Sequence, residues 1–288
     1  MIGSSFLKWR FNLIFISAIP LIISWDKDFN DGCYWNELQN VTDITTIDKF
    51  DALQKMLRHL KPEINLDMVI RYMTKYMPYT ENGTIFLELL SGDGEFIFSL
   101  AKNLSETGIL FQPSETNASL METISNKRKE YGSPNVLEPI YLDPCSDPSD
   151  WFASAKEKVA NFSLAYIFNA NSINLMHWNC TKQIFRATQQ YLRQNGSVFF
   201  YGTFSYGTVR SPKANKDLHN LMKMCNPDWG LRDAYREMTK FGAMLELYLD
   251  RTIFYPTPLY CEMLVWKRMH DDLSRKAEKV YQKNIREY

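Results

Sequence analysis

The sequence has no excess of charge of either sign: 33 Lys and Arg balance 33 Asp and Glu. Without a net basic field, a nucleic-acid partner is disfavoured. It has few cysteines and none in a metal-binding pattern, because Cys33, Cys145, Cys180, Cys225 and Cys261 are widely spaced. No metal site is therefore expected, and at most two disulfides can form, with their pairing open. Internal repeats and low-complexity tracts are absent, which excludes solenoid and disordered classes. Long hydrophobic runs are also missing. The best, Phe11 to Ser24, is interrupted by Asn12, Ser17 and Pro20 and is shorter than the ~20 residues of a spanning helix.

What is present is a core-forming composition. The 288 residues are 45% apolar, enough for one large domain with extensions. Lys8 and Arg10 precede the apolar run, and Asp26 and Asp28 follow it. A basic flank, an apolar stretch and a polar exit predict a secretory signal peptide or signal anchor over residues 1–25, with membrane association through residues 7–24. Residues 26–46 read as a polar linker, 47–268 as the main domain and 269–288 as a charged C-terminal helix. Seven Asn-x-Ser/Thr sequons stand at Asn40, Asn82, Asn103, Asn117, Asn161, Asn179 and Asn195. Chance would supply about half that number or fewer. Leader and sequons together predict a lumenal, secreted or membrane-anchored protein, or a cytoplasmic one if the leader is not functional.

Along the main domain, two helices are expected over 47–60 and 65–77, separated by Pro62 and closed by Pro78. Strands are expected at 85–90, 108–111, 136–141, 162–168 and 197–201. Helices alternate with them at 117–129, 151–159 and 181–193. An insert over 202–227 carries a short helix near 218–224. A helix over 231–241 follows, then an antiparallel pair at 245–253 and 260–266. Regular alternation predicts an α/β fold with a mostly parallel sheet and helices on both faces.

The element that organises this chain is Ile85 to Phe98. A short apolar run is followed by Ser91-Gly92-Asp93-Gly94 and then by Phe96, Ile97 and Leu100 at helical spacing. Strand, glycine turn and helix present backbone N–H groups to a nucleotide-like ligand. Glu88 and Asp93 make the turn acidic, which suits an amine or sulfonium better than a pyrophosphate. In an open parallel sheet, ligands bind at the carboxyl ends of the strands. That rule gathers Glu88, Ser91, Gly92, Asp93 and Gly94 from the first strand, Ser114 and Glu115 from the second, Asp143 from the third and Asn169 and Asn171 from the fourth. A carboxylate past the second strand can accept from both hydroxyls of a ribose. Helix capping is the alternative role for Glu115 and Asp143, since both precede helices.

These motifs resemble the methyltransferase-like 26 family, a group of S-adenosylmethionine-dependent methyltransferase-like proteins. The resemblance spans about Asn65 to Arg268. Its most distinctive part is Asn226-Pro227-Asp228-Trp229-Gly230-Leu231-Arg232-Asp233. Leu87 to Gly94 is similar to the family's Leu-Glu-x-x-Ser-Gly-x-Gly, and Gln112-Pro113-Ser114-Glu115 to its Gln-Pro-Ser-Asp. Leu142-Asp143, Cys180-Thr181, Ile184 to Ala187 and Tyr201-Gly202 also fit. The resemblance implies S-adenosylmethionine as cofactor and a seven-stranded Rossmann-like methyltransferase sheet with a closing antiparallel strand; it brings no known substrate, and the absence of a basic surface favours a small-molecule acceptor. The family's Gln-His after the glycine turn is Glu95-Phe96 here. A second family histidine is Ser172, with His177 five residues on. Both departures touch the presumed reaction centre, so a non-catalytic binding module that keeps the fold is the alternative expectation. Asn171, His177 and Tyr201 are the candidate substrate-side residues. A nicotinamide enzyme is disfavoured, because Gly92-Asp93-Gly94 lacks a third glycine. Arg232, Trp229 and Asp233 are expected to lock the insert through an Arg–carboxylate pair and an aromatic anchor. Leu221, Met222 and Met224 are expected in the core.

Overall fold

The computed structural model describes Leu53 and residues 66–152, 163–207, 213–255 and 261–268. The leader, the sequons at Asn40 and Asn161, Cys33, most of the first expected helix, the helix expected over 151–159 beyond Phe152, and the C-terminal tail lie outside these residues. Among the described residues, no helix is long and apolar enough to cross a membrane.

Seven strands form one sheet: β1 Thr84–Leu89, β2 Ile109–Glu115, β3 Ile140–Tyr141, β4 Leu164–Ala170, β5 Leu192–Gly202, β6 Leu247–Phe254 and β7 Glu262–Arg268. Their order is β3-β2-β1-β4-β5-β7-β6. The strands β1 to β5 pair in parallel, and β7 is antiparallel to both β5 and β6. Alternate residues feed two cores. Phe86, Phe111, Tyr166, Phe168, Phe199 and Val265 pack on one face. Leu87, Ile167, Val198, Phe200, Leu264 and Trp266 pack on the other. Burial on both faces explains why these strands read as continuous apolar runs.

The helices are α1 Leu66–Met73, α2 Glu95–Asn103, α3 Ala118–Tyr131, α4 Trp178–Tyr191, α5 Lys213–Cys225 and the short α6 Thr239–Ala243. Several boundaries differ from expectation for identifiable reasons. Strand β2 runs four residues further than expected, through Pro113, so Ser114 and Glu115 lie within it. The N–H of Phe111 points to the β3 side, where Asn135 O accepts it at 2.8 Å. Two residues on, Pro113 has no N–H to offer that neighbour. The expected strand over 136–141 accordingly shrinks to Ile140–Tyr141 plus an isolated bridge at Val136. The helix expected from Leu231 starts only at Ala234, as a π turn capped by Asp233, because the N–H groups of Gly230, Leu231 and Arg232 donate to Asn174 and His219 instead.

Candidate functional site

Strands β1 and β4 are neighbours in the sheet, but the chain leaves β1 in one direction and β4 in the other. This is the topological switch point, where open α/β sheets bind ligands. The glycine turn sits there. Leu90 at φ 55°, Gly92 at 59° and Gly94 at 83° take left-handed backbone, which costs Leu90 about 1–2 kcal/mol. A Cβ at Gly94 would stand 3.0 Å from the Phe98 ring, so the start of α2 requires glycine.

The turn is bound to β2 by its own polar groups. Ser91 N–H donates to Ser114 O at 2.9 Å, Ser114 N–H to Ser91 Oγ at 3.1 Å, and Ser114 Oγ–H to Glu88 O at 2.7 Å. Glu88 is 4% exposed. Glu115, also buried, accepts from Gly92 N–H on Oε2 at 3.0 Å. Its Oε1 accepts from Thr116 N–H at 2.8 Å and from Asn117 N–H at 3.3 Å. Burial pushes the Glu115 carboxyl above its ordinary range, and these N–H groups oppose the shift. Glu115 thus clamps the turn to the start of α3, while Asn117 caps that helix through Ser119 and Leu120 N–H. Asp93 accepts from Glu95 N–H and forms an ion pair with Lys127 of α3 at 2.9 Å. The expected acidity of the turn is therefore offset by a lysine 34 positions away in sequence.

Asp143 accepts from Cys145 N–H at 2.8 Å in a local turn after β3. Cys145 is disulfide-bonded to Cys180 in the first turn of α4, one of the pairings left open by the sequence. Asn169 ends β4 opposite Leu89 and is 1% exposed. Its Nδ2 donates to Leu89 O at 3.2 Å and to Ser172 Oγ, while its buried Oδ1 has no hydrogen-bond partner. Ser172, standing where the resembled family has histidine, is thus a partner of Asn169. Phe96, at the other altered position, stacks on Phe168 with centroids 4.2 Å apart.

On the other side of β4 lies an open groove of about 680 Å³. Its walls are α5, the Asn226–Asp233 segment, residues 205–207 after β5 and the first turn of α4. Of the substrate-side candidates, His177 lines it. His177 caps α4, accepting from Asn179 N–H at 3.0 Å, and turns Nε2 toward Asp228 at 3.8 Å. Asn171 sits at φ 58° with Oδ1 over Gly202, where a Cβ would come within 2.7 Å of it. Tyr201 is instead a core residue, edge-on to Tyr255 at 5.4 Å.

The Asn226–Asp233 segment builds the groove's floor. Arg232, 6% exposed, donates from Nε to Ile173 O at 2.9 Å and from Nη2 to Met176 O. Its backbone N–H donates to Asn174 Oδ1 at 3.1 Å, and Asn174 Nδ2 to Thr203 O at 2.8 Å. Arg232 does lock the insert, but through carbonyls rather than the expected carboxylate. Burial lowers its guanidinium to about 10. Trp229 anchors in the core as expected, as do Leu221 and Met222, whereas Met224 is exposed. The groove's α5 face was not anticipated from sequence.

A family described as "Protein of unknown function (DUF938)" matches residues 59–268. Among solved structures, the chain is similar to geranyl diphosphate C-methyltransferase from Streptomyces coelicolor A3(2), in complex with Mg2+, geranyl diphosphate and S-adenosyl-L-homocysteine. The TM-score is 0.53 at 9% identity, covering 70% of this chain and 79% of that one. It is similar to a putative sarcosine dimethylglycine methyltransferase from Galdieria sulphuraria, with TM-score 0.53 at 10% identity over 71% and 86% of the two chains. The YcgJ protein from Bacillus subtilis gives 0.53 at 10% over 71% and 99%. At such identities the likeness is one of fold: a Rossmann-like methyltransferase sheet.

Proposed function

The chain belongs to the DUF938 family, and from that footing we propose that it is an S-adenosylmethionine-dependent methyltransferase acting on a small molecule. The observation that carries this reading is the switch point, where the glycine turn faces a buried Asn169 Oδ1 that has no hydrogen-bond partner. The residues there fit the cofactor. Glu115 Oε2 holds only Gly92 N–H, leaving it able to accept from a ribose hydroxyl. Asp143 stands at the β3 end to accept from an adenine amino group, and Asn169 Oδ1 is open to the amine of the methionyl part. Bound there, S-adenosylmethionine supplies an electrophilic methyl on its sulfonium. The protein's own work is orientation: α2 and the Glu115 clamp fix the turn, and the apolar surroundings of Phe96 and Phe168 exclude water. Within this reading, the methyltransferase-like 26 relationship names the finer group.

A second reading is a binding module without catalysis. It is favoured by Asp93 being neutralised by Lys127 and by Phe96 being buried where the resembled family has histidine. Calorimetric titration of the full chain with S-adenosylhomocysteine tests both. Micromolar binding is expected; a folded protein that takes up none would sink both readings, and binding without methyl transfer to any acceptor would favour the second. A secretory-pathway address belongs to the same proposal, supported by the leader, the sequons and a disulfide suited to an oxidising compartment. Expression in animal cells should give an endoglycosidase-sensitive product; an unshifted band would argue for the cytoplasm.

A further inference from the structure

The groove holds one of the buried polar atoms that this fold leaves without an internal partner, Asn215 Oδ1. Helix α5 is two-sided: Leu218, Leu221 and Met222 enter the core, while Asn215, His219 and Lys223, spaced four apart, line the groove. Asn215 is 1% exposed, and its Oδ1 has no hydrogen-bond partner. A buried carbonyl oxygen left unpaired keeps its desolvation penalty unless a ligand donates to it. His219 accepts Leu231 N–H on Nδ1 at 3.1 Å, so a neutral ring carries its proton on Nε2. Burial, then the charges of Lys223 and Arg232, hold that ring's pKa below its ordinary value.

The charges point the same way. Lys216, Lys223, Arg232 and Arg236 line the groove, and among the described residues none forms an ion pair. Arg232 and Lys223 donate to backbone carbonyls. The opposing carboxylates are partly engaged: Asp228 faces His177, and Asp233 accepts from Tyr235 and Arg236 N–H. Exposed Glu237 is the third. The lining therefore carries four basic groups to three carboxylates, with Lys216 and Arg236 exposed at the rim and an unsatisfied acceptor at depth.

We propose that this groove binds a small carboxylic acid bearing a hydroxyl or amino group, its carboxylate at Arg236 and Lys216 and its hydroxyl or amino hydrogen at Asn215 Oδ1. A volume of about 680 Å³ suits a ligand of that class. Calling the ligand a methyl acceptor rests on the methyltransferase reading; the binding itself does not.

The test is saturation-transfer NMR on the full chain. The probes are 4-hydroxybenzoate, salicylate, anthranilate and tyrosine, each beside its counterpart without the carboxylate, and benzoate as the acid without a hydroxyl or amino group. The acids should bind and the counterparts should not. Arg236→Gln, at an exposed position, should weaken the bound acid about tenfold. Asn215→Leu removes a buried unpaired amide without emptying its space, and should abolish the preference for hydroxyl- and amino-acids over plain benzoate. Absence of binding by every acid, or equal binding of acids and counterparts unmoved by R236Q, overturns the assignment. Titration with S-adenosylhomocysteine, run in parallel, separates the two claims. Acid binding without cofactor binding leaves the groove standing and removes the methyltransferase; the converse removes only the groove.

Discussion

The two halves of the sheet's carboxyl edge hold their polar groups differently. On the β1–β2 side, the polar groups of the turn are closed on one another. Ser91, Ser114 and Glu115 exchange hydrogen bonds across the strands, and Asp93 meets Lys127. On the β4–β5 side, Asn169 Oδ1, Asn215 Oδ1 and Glu262 Oε2 are buried without partners. The first half holds a fixed backbone shape, and the second keeps three buried acceptor atoms unengaged. Such a division suits an invariant cofactor met by the rigid turn and Asn169, and a variable acceptor met by the open polar groups beyond it. The Cys145–Cys180 bond joins the two halves, from the loop after β3 to the first turn of α4.

The sharpest way to break this comparison is through Glu262, which lies opposite Gly202 at the start of β7 and is 3% exposed. Burial pushes its carboxyl from the ordinary 4.5 up to about 8. The folded protein therefore favours the protonated form. Stability from this group is fully present below about pH 4.5, declines as pH rises, and is lost above about 8. Glu262→Gln should remove the decline. At pH 9 the variant should be the more stable, by at most about 5 kcal/mol, the linkage equivalent of the shift. Thermal melts at pH 5 and pH 9 measure it. Parallel losses in parent and variant would mean that this half is not strained by an unpaired acid.

Next comes Arg232, the residue that makes the open half rigid enough to be a groove. Arg232→Met keeps the volume but leaves Ile173 O and Met176 O without their donors. The cost should be about 3 kcal/mol, or a fall of about 6–12 °C in Tm. A variant melting within a degree of the parent would show that water replaces the guanidinium, and that the floor is not locked.

The same contrast explains what could be read from the sequence. The closed half was legible because its parts are adjacent in the chain: an apolar hexamer, two glycines, then Phe96, Ile97 and Leu100 at helical spacing. Even there, Lys127 was invisible as a partner of Asp93, because an exposed helix lysine gives no sign of where it points. Pro113 also misled, since proline reads as a strand end. It is tolerated inside β2 because its missing donor falls where β3 offers no pair. The open half was scarcely legible. Asn215, His219 and Lys223 look like a solvated helix face, and the groove exists only because Arg232 reaches back nearly sixty residues to Ile173 and Met176. The one available signal was that α5 alternates Leu218, Leu221 and Met222 with those residues directly before the distinctive Asn226–Asp233 segment.

A smaller effect is expected at the clamp. Glu115→Ala deprives Gly92, Thr116 and Asn117 N–H of their shared acceptor. Stability should fall by about 2 kcal/mol, and S-adenosylhomocysteine affinity by about tenfold. Glu115→Gln, which retains one carbonyl oxygen, should lose less of both. Equal affinity in all three proteins would leave Glu115 a structural clamp and move ribose recognition elsewhere.

The smallest effect separates charge from shape. Lys127 and Asp93 have side chains 25% and 45% exposed, so Lys127→Ala should change stability by no more than about 0.5 kcal/mol. Its use lies in selectivity. With the ammonium gone, the Asp93 charge is uncompensated beside the turn, and a cationic sulfonium gains while the neutral thioether does not. The affinity of S-adenosylmethionine relative to S-adenosylhomocysteine should rise two- to threefold at low salt, and the gain should fade as salt screens it. Calorimetry with both ligands at two salt concentrations reads the ratio directly. An unchanged ratio would place the sulfonium beyond the field of Asp93, and the closed half would then act on its ligand through backbone shape alone.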